Sequence, residues 1–207
     1  MVIICALIGY VLGCLNPAWL IMKRTGKDIA HEGTGNLGTT NTFLVAGRRY
    51  GILVLLFDMG KAAAAVLLCR YCFPTVQYGP ETAAMCAMLG HLYPVYLHGK
   101  GGKGLACLGG AVLSLDWRLF FPLLFIGLAL ALITDYGCCV TFTGAILFPI
   151  VYAVFTHSAV HFLLLALSCG CIVYKHRENL HRIRAGEENR FRSFFTHRLF
   201  SRKGSRR

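Results

Sequence analysis

The sequence predicts an all-α, polytopic transmembrane bundle of about seven helices, with its N-terminus outside and its C-terminus in the cytoplasm. Three observations lead there. The 207 residues are 56% hydrophobic and only 14% charged, where soluble domains carry roughly a quarter charged residues. Mean hydropathy is +0.59. The apolar residues fall into separate runs, several close to the roughly 20 residues that a helix needs to cross a bilayer. Such a composition excludes a disordered chain, a coiled coil, a collagen-like rod and a water-soluble enzyme.

The first run covers residues 2–22 and is broken near its end by Asn16-Pro17. It has no basic leading region and no small-x-small cleavage site, so it reads as a retained helix, not a signal peptide. The others are residues 52–68, 83–97, 105–115, 119–134, 140–155 and 160–174. The fourth is too short for a full crossing, which brackets the count at five to seven. Most of the ten cysteines lie inside these runs and read as reduced, small apolar side chains. Cys69 and Cys72 form a lone CxxC without a second pair, so no metal is expected.

Charge sets the orientation. The net charge is +12, and residues 175–207 hold 11 of the 21 Lys and Arg. Loop 23–51 carries Lys23, Arg24, Lys27, Arg48 and Arg49, and loop 98–104 carries Lys100 and Lys103. The alternate loops hold little positive charge, so the basic loops and the tail belong in the cytoplasm. Residues 1–190 form the membrane domain. Residues 191–207 form a basic tail with interleaved phenylalanines, suited to anionic lipid headgroups and not to nucleic acid.

Two glycine-rich segments fall on this basic face, residues 33–41 (GTGNLGTTN) and 99–104 (GKGGKG). Both satisfy GxGxxG, but neither sits in a βαβ unit, and no Walker loop occurs. What remains is physical. Glycines let backbone N–H groups approach a ligand, Thr34, Asn36, Thr40 and Asn41 add neutral donors, and Lys100 and Lys103 add cations. The second loop opens a helix near residue 105, whose N-terminus attracts anions. Two such loops on one face predict a phosphate pocket at the membrane surface. Elsewhere, Asp58 and Lys61 lie at i, i+3 inside the second run and read as a structural ion pair. His91 lies in the third run, near the lysine loop. His176, Asn179 and Arg182 share a face just after the last run.

At these motifs the chain resembles the bacterial acyl-phosphate:glycerol-3-phosphate acyltransferase family. The matching stretches are Asn16-Pro17-Ala18, residues 34–41, Phe57-Asp58-x-x-Lys61, Gly90-His91-x-Tyr93-Pro94-Val95, residues 100–104 and residues 175–179, in the family's order and spacing. The resemblance implies a seven-helix inner-membrane enzyme. It would move a fatty acyl group from acyl phosphate to the 1-hydroxyl of glycerol 3-phosphate, forming lysophosphatidic acid and phosphate. It implies no cofactor, a substrate phosphate as base, and contact with the enzyme that makes acyl phosphate. The sequence departs from the family pattern at Thr34 for Ser, Leu44 for Arg, Ala62 for Gly, Asp135 for a basic residue and Cys138 for Ser.

The expected catalytic set is Thr34, Asn36, Lys103 and His91, with His91 the intramembrane candidate for a base. Substrate and phosphate are expected on Gly35, Gly38, Thr40, Asn41, Arg48, Lys100, Gly101, Gly102, Gly104, Cys138, His176, Asn179 and Arg182, with Arg48 standing in for the missing family Arg. The alternative, drawn from Leu44, Asp135 and Cys138, is a diverged paralogue that binds phosphate or lipid headgroups with weak or no turnover.

Overall fold

The computed structural model describes residues 1–192, and apart from one isolated bridge between Tyr136 and Arg190 its regular structure there is helical. The helices are α1 (Val2–Cys14), α2 (Pro17–Thr25), α3 (Thr39–Val45), α4 (Arg48–Cys72), α5 (Gly79–Leu92), α6 (Leu105–Leu115), α7 (Trp117–Thr134), α8 (Cys138–Thr156), α9 (Ala159–Lys175) and α10 (Arg177–Arg184). Among the described residues, five stretches are long and apolar enough to cross a membrane: Val2–Thr25, α4, α7, α8 and Ala159–Arg184. Large apolar side chains stand exposed along them, among them Leu56, Phe125, Ile133, Phe155 and Leu163. A lipid-facing surface requires this pattern.

The two remaining apolar helices are short. At 1.5 Å per residue, the 14 residues of α5 and 11 of α6 reach only ~21 and ~17 Å, against a hydrocarbon core of about 30 Å. The run expected at 83–97 is therefore corrected. Pro80 favours an earlier start in the first helical turn, and Pro94 restricts Tyr93, so the helix stops at Leu92. The helix α5 is buried along most of its length. Gly9 and Gly13 of α1 sit so close to Ala83 and Ala87 that a Cβ on either would strike the α5 backbone. Small residues let helices approach where no hydrophobic drive distinguishes protein from lipid. Phe148, Met88, Leu92, Leu165 and Ile172 fill the centre.

Polar contacts pin the two ends. At one end Arg70 donates to the Ser114 and Leu115 carbonyls at 2.7 and 3.1 Å, satisfying the C-terminus of α6, and Tyr152 Oη donates to Glu81 at 2.7 Å. At the other end the chain after α10 turns back. Phe191 N–H donates to Asp135 O at 2.8 Å, and Arg192 N–H donates to Asp135 Oδ1 at 2.7 Å. Asp135 thus anchors the returning chain. The basic tail expected over 191–207 lies outside the described residues beyond Arg192.

Candidate active site

Three segments far apart in sequence line one cavity of about 690 Å³: the α2 region with loop 30–37, the stretch 93–103, and the α9–α10 junction at 174–178. The break at Asn16-Pro17 starts the arrangement. Asn16 Oδ1 caps α2 by accepting from Trp19 N–H at 3.0 Å, with Pro17 in the first turn. Its Nδ2 donates to Leu37 O at 3.3 Å, tying the break to the first glycine loop. Trp19 and Met22 form an apolar wall of the cavity, and Thr34, Gly35 and Asn36 face it from the loop.

Asn41 holds that loop from behind. Its Oδ1 accepts from Thr34 N–H at 2.6 Å, and its Nδ2 donates to Ile29 O at 2.7 Å and Glu32 O at 3.0 Å. The side chain is fully buried. The expectation that Asn41 touches substrate is corrected, because its amide is committed to the backbone of the loop.

The second loop also differs from expectation. Gly101 N–H donates to Leu92 O at 3.3 Å, and Gly102 N–H donates to His91 O at 3.1 Å. These amides close the C-terminus of α5, whose last carbonyls lack partners within the helix, and are not offered to an anion. Gly102 must be glycine, since a Cβ would collide with the His91 ring. Gly104, at φ +94, caps α6 against Ile172 and lies outside the cavity lining. Lys100 and Lys103 do line it.

Lys103 is held from the α10 side. Its Nζ donates to Asn179 Oδ1 at 2.7 Å and lies 3.3 Å from Glu178 Oε2. Asn179 Nδ2 donates to Glu188 Oε1 at 2.7 Å, and Arg182 Nε donates to Glu188 Oε2 at 2.6 Å. Burial pushes the Lys103 ammonium below its ordinary pKa, while the Glu178 carboxylate pulls it back up. Asn179 and Arg182 therefore act behind Lys103 and are not on the cavity wall.

The other expected residues fall elsewhere. His91 is 3% exposed and lies beneath Gly102, off the cavity lining, so a catalytic contact there is corrected to a supporting place under the loop. His176 is buried, with Nδ1 2.8 Å from Ile172 O and its ring against Phe142. Cys138 is buried at the start of α8. Gly38 caps α3, Thr40 is exposed on α3, and Arg48 is exposed at the start of α4; none of them lines the cavity, and neither does Leu44, where the family has Arg.

Several lining residues were not in the expected site set, although Lys175 and Arg177 belong to the family-matching stretch 175–179. Lys175 Nζ donates to Leu92 O at 2.7 Å and lies over the Tyr93 ring, and Arg177 stacks on Tyr174 at 3.9 Å. His31, largely exposed, has Nδ1 2.9 Å from Asp28 Oδ2. Lys175 and Asn179 stand at i, i+4, a spacing that could have marked them together. Glu188 carries no such signal, because the turn at Gly186 brings it back.

Comparison with known proteins agrees with this architecture. The family model described as glycerol-3-phosphate acyltransferase matches residues 3–186. A glycerol-3-phosphate acyltransferase of Thermoanaerobacter pseudethanolicus is 32% identical over 189 residues, covering 91% of this chain and 94% of the relative. Glycerol-3-phosphate acyltransferase 1 of Oceanobacillus iheyensis is 34% identical over 200 residues, covering 93% and 96%. Among solved structures, the chain is similar to PlsY, an integral membrane glycerol 3-phosphate acyltransferase. The glycerol 3-phosphate form aligns with TM-score 0.84 at 28% identity, covering 92% of this chain and 95% of that one. The lysophosphatidic acid form aligns with TM-score 0.79 at 27% identity, covering 91% and 94%.

Proposed function

The chain belongs to the glycerol-3-phosphate acyltransferase family, and from that premise we propose that its acyl donor is acyl phosphate and its acceptor the 1-hydroxyl of glycerol 3-phosphate. The site faces the cytoplasm at the inner membrane of a bacterial cell. The observation that carries this reading is the cavity itself, which sets Lys103, Thr34 and Asn36 on the same walls as Trp19, Met22 and Leu97. Its polar side suits phosphates and its apolar side suits the start of an acyl chain.

In the reaction, the acceptor hydroxyl oxygen attacks the acyl carbonyl carbon. The bond from that carbon to the phosphate oxygen breaks, and phosphate departs with the electron pair. The hydroxyl proton passes to phosphate. Acyl phosphate already holds a good leaving group, so positioning and charge stabilisation carry the rate. Lys103 neutralises phosphate, and the hydroxyl of Thr34 and the amide of Asn36 orient the acceptor.

The test is release of phosphate and lysophosphatidic acid by the full chain in lipid bilayers, from acyl phosphate with glycerol 3-phosphate. Equal yields of both products are expected, with none when acyl-CoA replaces acyl phosphate. His31→Gln is expected to remain active; its inactivity would show that a protein base takes the proton. A companion arm uses Leu44→Arg, since Leu44 is half exposed on α3 where the family places Arg. Turnover confined to that variant would identify this chain as a binder that has lost catalysis.

A further inference from the structure

Beneath the second glycine loop lies a charged cluster of residues that do not themselves line the cavity. Lys61 Nζ is 2.6 Å from Leu15 O, 2.7 Å from Asp58 Oδ1 and 2.9 Å from His91 Nδ1. The side chains of Asp58, Lys61 and His91 are each 3% exposed or less. An ammonium has three N–H donors and no acceptor, while carbonyl and carboxylate oxygens only accept. Lys61 therefore donates to Leu15 O and faces His91 Nδ1 as its second hydrogen-bond partner, while it meets Asp58 as an ion pair. A proton on Nδ1 would set two donors head to head at 2.9 Å. The Nδ1 to Asp58 distance, 3.4 Å, is longer than either Lys61 contact beside it.

Nε2 is the atom that a Cβ on Gly102 would strike first, and that same Cβ would lie 3.1 Å from Leu37 O of the first glycine loop. Gly102 is also bonded to His91 through its backbone N–H, and Lys103 is the next residue. Lys61 grips the carbonyl just before Asn16, whose side chain holds Leu37 O. Both glycine loops thus rest on one cluster. We infer that Lys61, paired with the Asp58 carboxylate, is the positioning residue that fixes His91 as its neutral Nε2–H tautomer, so that His91 sets the height of Gly102 and aims Lys103 at the substrate phosphate. This rests on the reading of Lys103 as the phosphate cation.

The test uses the full chain in bilayers with 15N-labelled histidine, the His91 signals being assigned by their loss in His91→Gln. The expected spectrum has an unprotonated Nδ1 and a protonated Nε2 that hold while exposed histidines titrate. An imidazolium, or a proton on Nδ1, would overturn the inference whether or not Lys61→Met folds. Lys61→Met removes the donor. It is expected to release the tautomer and to lower kcat/KM for glycerol 3-phosphate about tenfold or more, mostly through KM, as misplacement of a binding group does. Asp58→Asn leaves Lys61 free to donate to Nδ1 and is expected to keep the tautomer. Unchanged KM in a folded Lys61→Met would also overturn the inference. Full activity in Lys103→Ala would instead sink the phosphate reading and leave the tautomer assignment standing.

Discussion

Lys103 Nζ lies 2.7 Å from Asn179 Oδ1, although 76 residues separate them in sequence. The lysine comes from the loop before α6 and the asparagine from α10, so the contact ties a lining loop to the helix that follows the third lining segment. Replacing Lys103 by Ala removes the cation and leaves Asn179 bonded only to Glu188. Hydrogen bonds to charged groups contribute about 1.5–3 kcal/mol. The expected loss in kcat/KM for glycerol 3-phosphate is therefore roughly 10- to 100-fold, read from steady-state acyl transfer.

Glu178 faces the same ammonium at 3.3 Å from the solvent side, with 62% of its side chain exposed. A substrate phosphate approaching Lys103 must displace this carboxylate. Glu178→Gln removes the competitor and is expected to tighten inhibition by inorganic phosphate about two- to fivefold, the scale of an exposed ion pair. Weaker inhibition would show that Glu178 assists anion binding.

The pH dependence follows from the same two residues. Burial lowers the Lys103 pKa, so its charge is lost as pH rises through that lowered value. Activity is expected to fall on the alkaline side earlier than an unperturbed lysine, at about 10.4, would allow. Because Glu178 raises the Lys103 pKa, Glu178→Gln is expected to move that alkaline limb to lower pH. A limb that stays in place would separate it from Lys103.

Much of this architecture was legible in the sequence because lipid demands long apolar runs, and α4, α7, α8 and α9 follow them closely. The shift of α5 was written locally, in Pro80 and Pro94, but hydropathy outweighed it. The glycine loops stood out in the sequence, and Thr34, Asn36 and Lys103 do line the cavity. Which amides remain available was not recognisable. Gly101 and Gly102 spend theirs on carbonyls of α5, a contact set by how the loop folds back on the helix. Periodicity could place His176, Asn179 and Arg182 on one face, yet not show that Glu188 returns to bind two of them.

Asn41 separates a loop-holding role from substrate contact. Its side chain makes three hydrogen bonds to the backbone at Ile29, Glu32 and Thr34, all within the first glycine loop and its approach. Asn41→Ala leaves those groups without their partner, and each that stays buried and unsatisfied costs about 1–3 kcal/mol. The loop relaxes toward water instead, so the cost appears as local opening. Hydrogen exchange over residues 29–36 is expected to quicken, and KM for glycerol 3-phosphate to rise as Thr34 and Asn36 lose their placement. Lys103 is held from α10 and keeps its bond to Asn179, so affinity for inorganic phosphate alone is expected to change less than KM. A variant that loses both equally, with hydrogen exchange unaltered, would place Asn41 at the substrate itself.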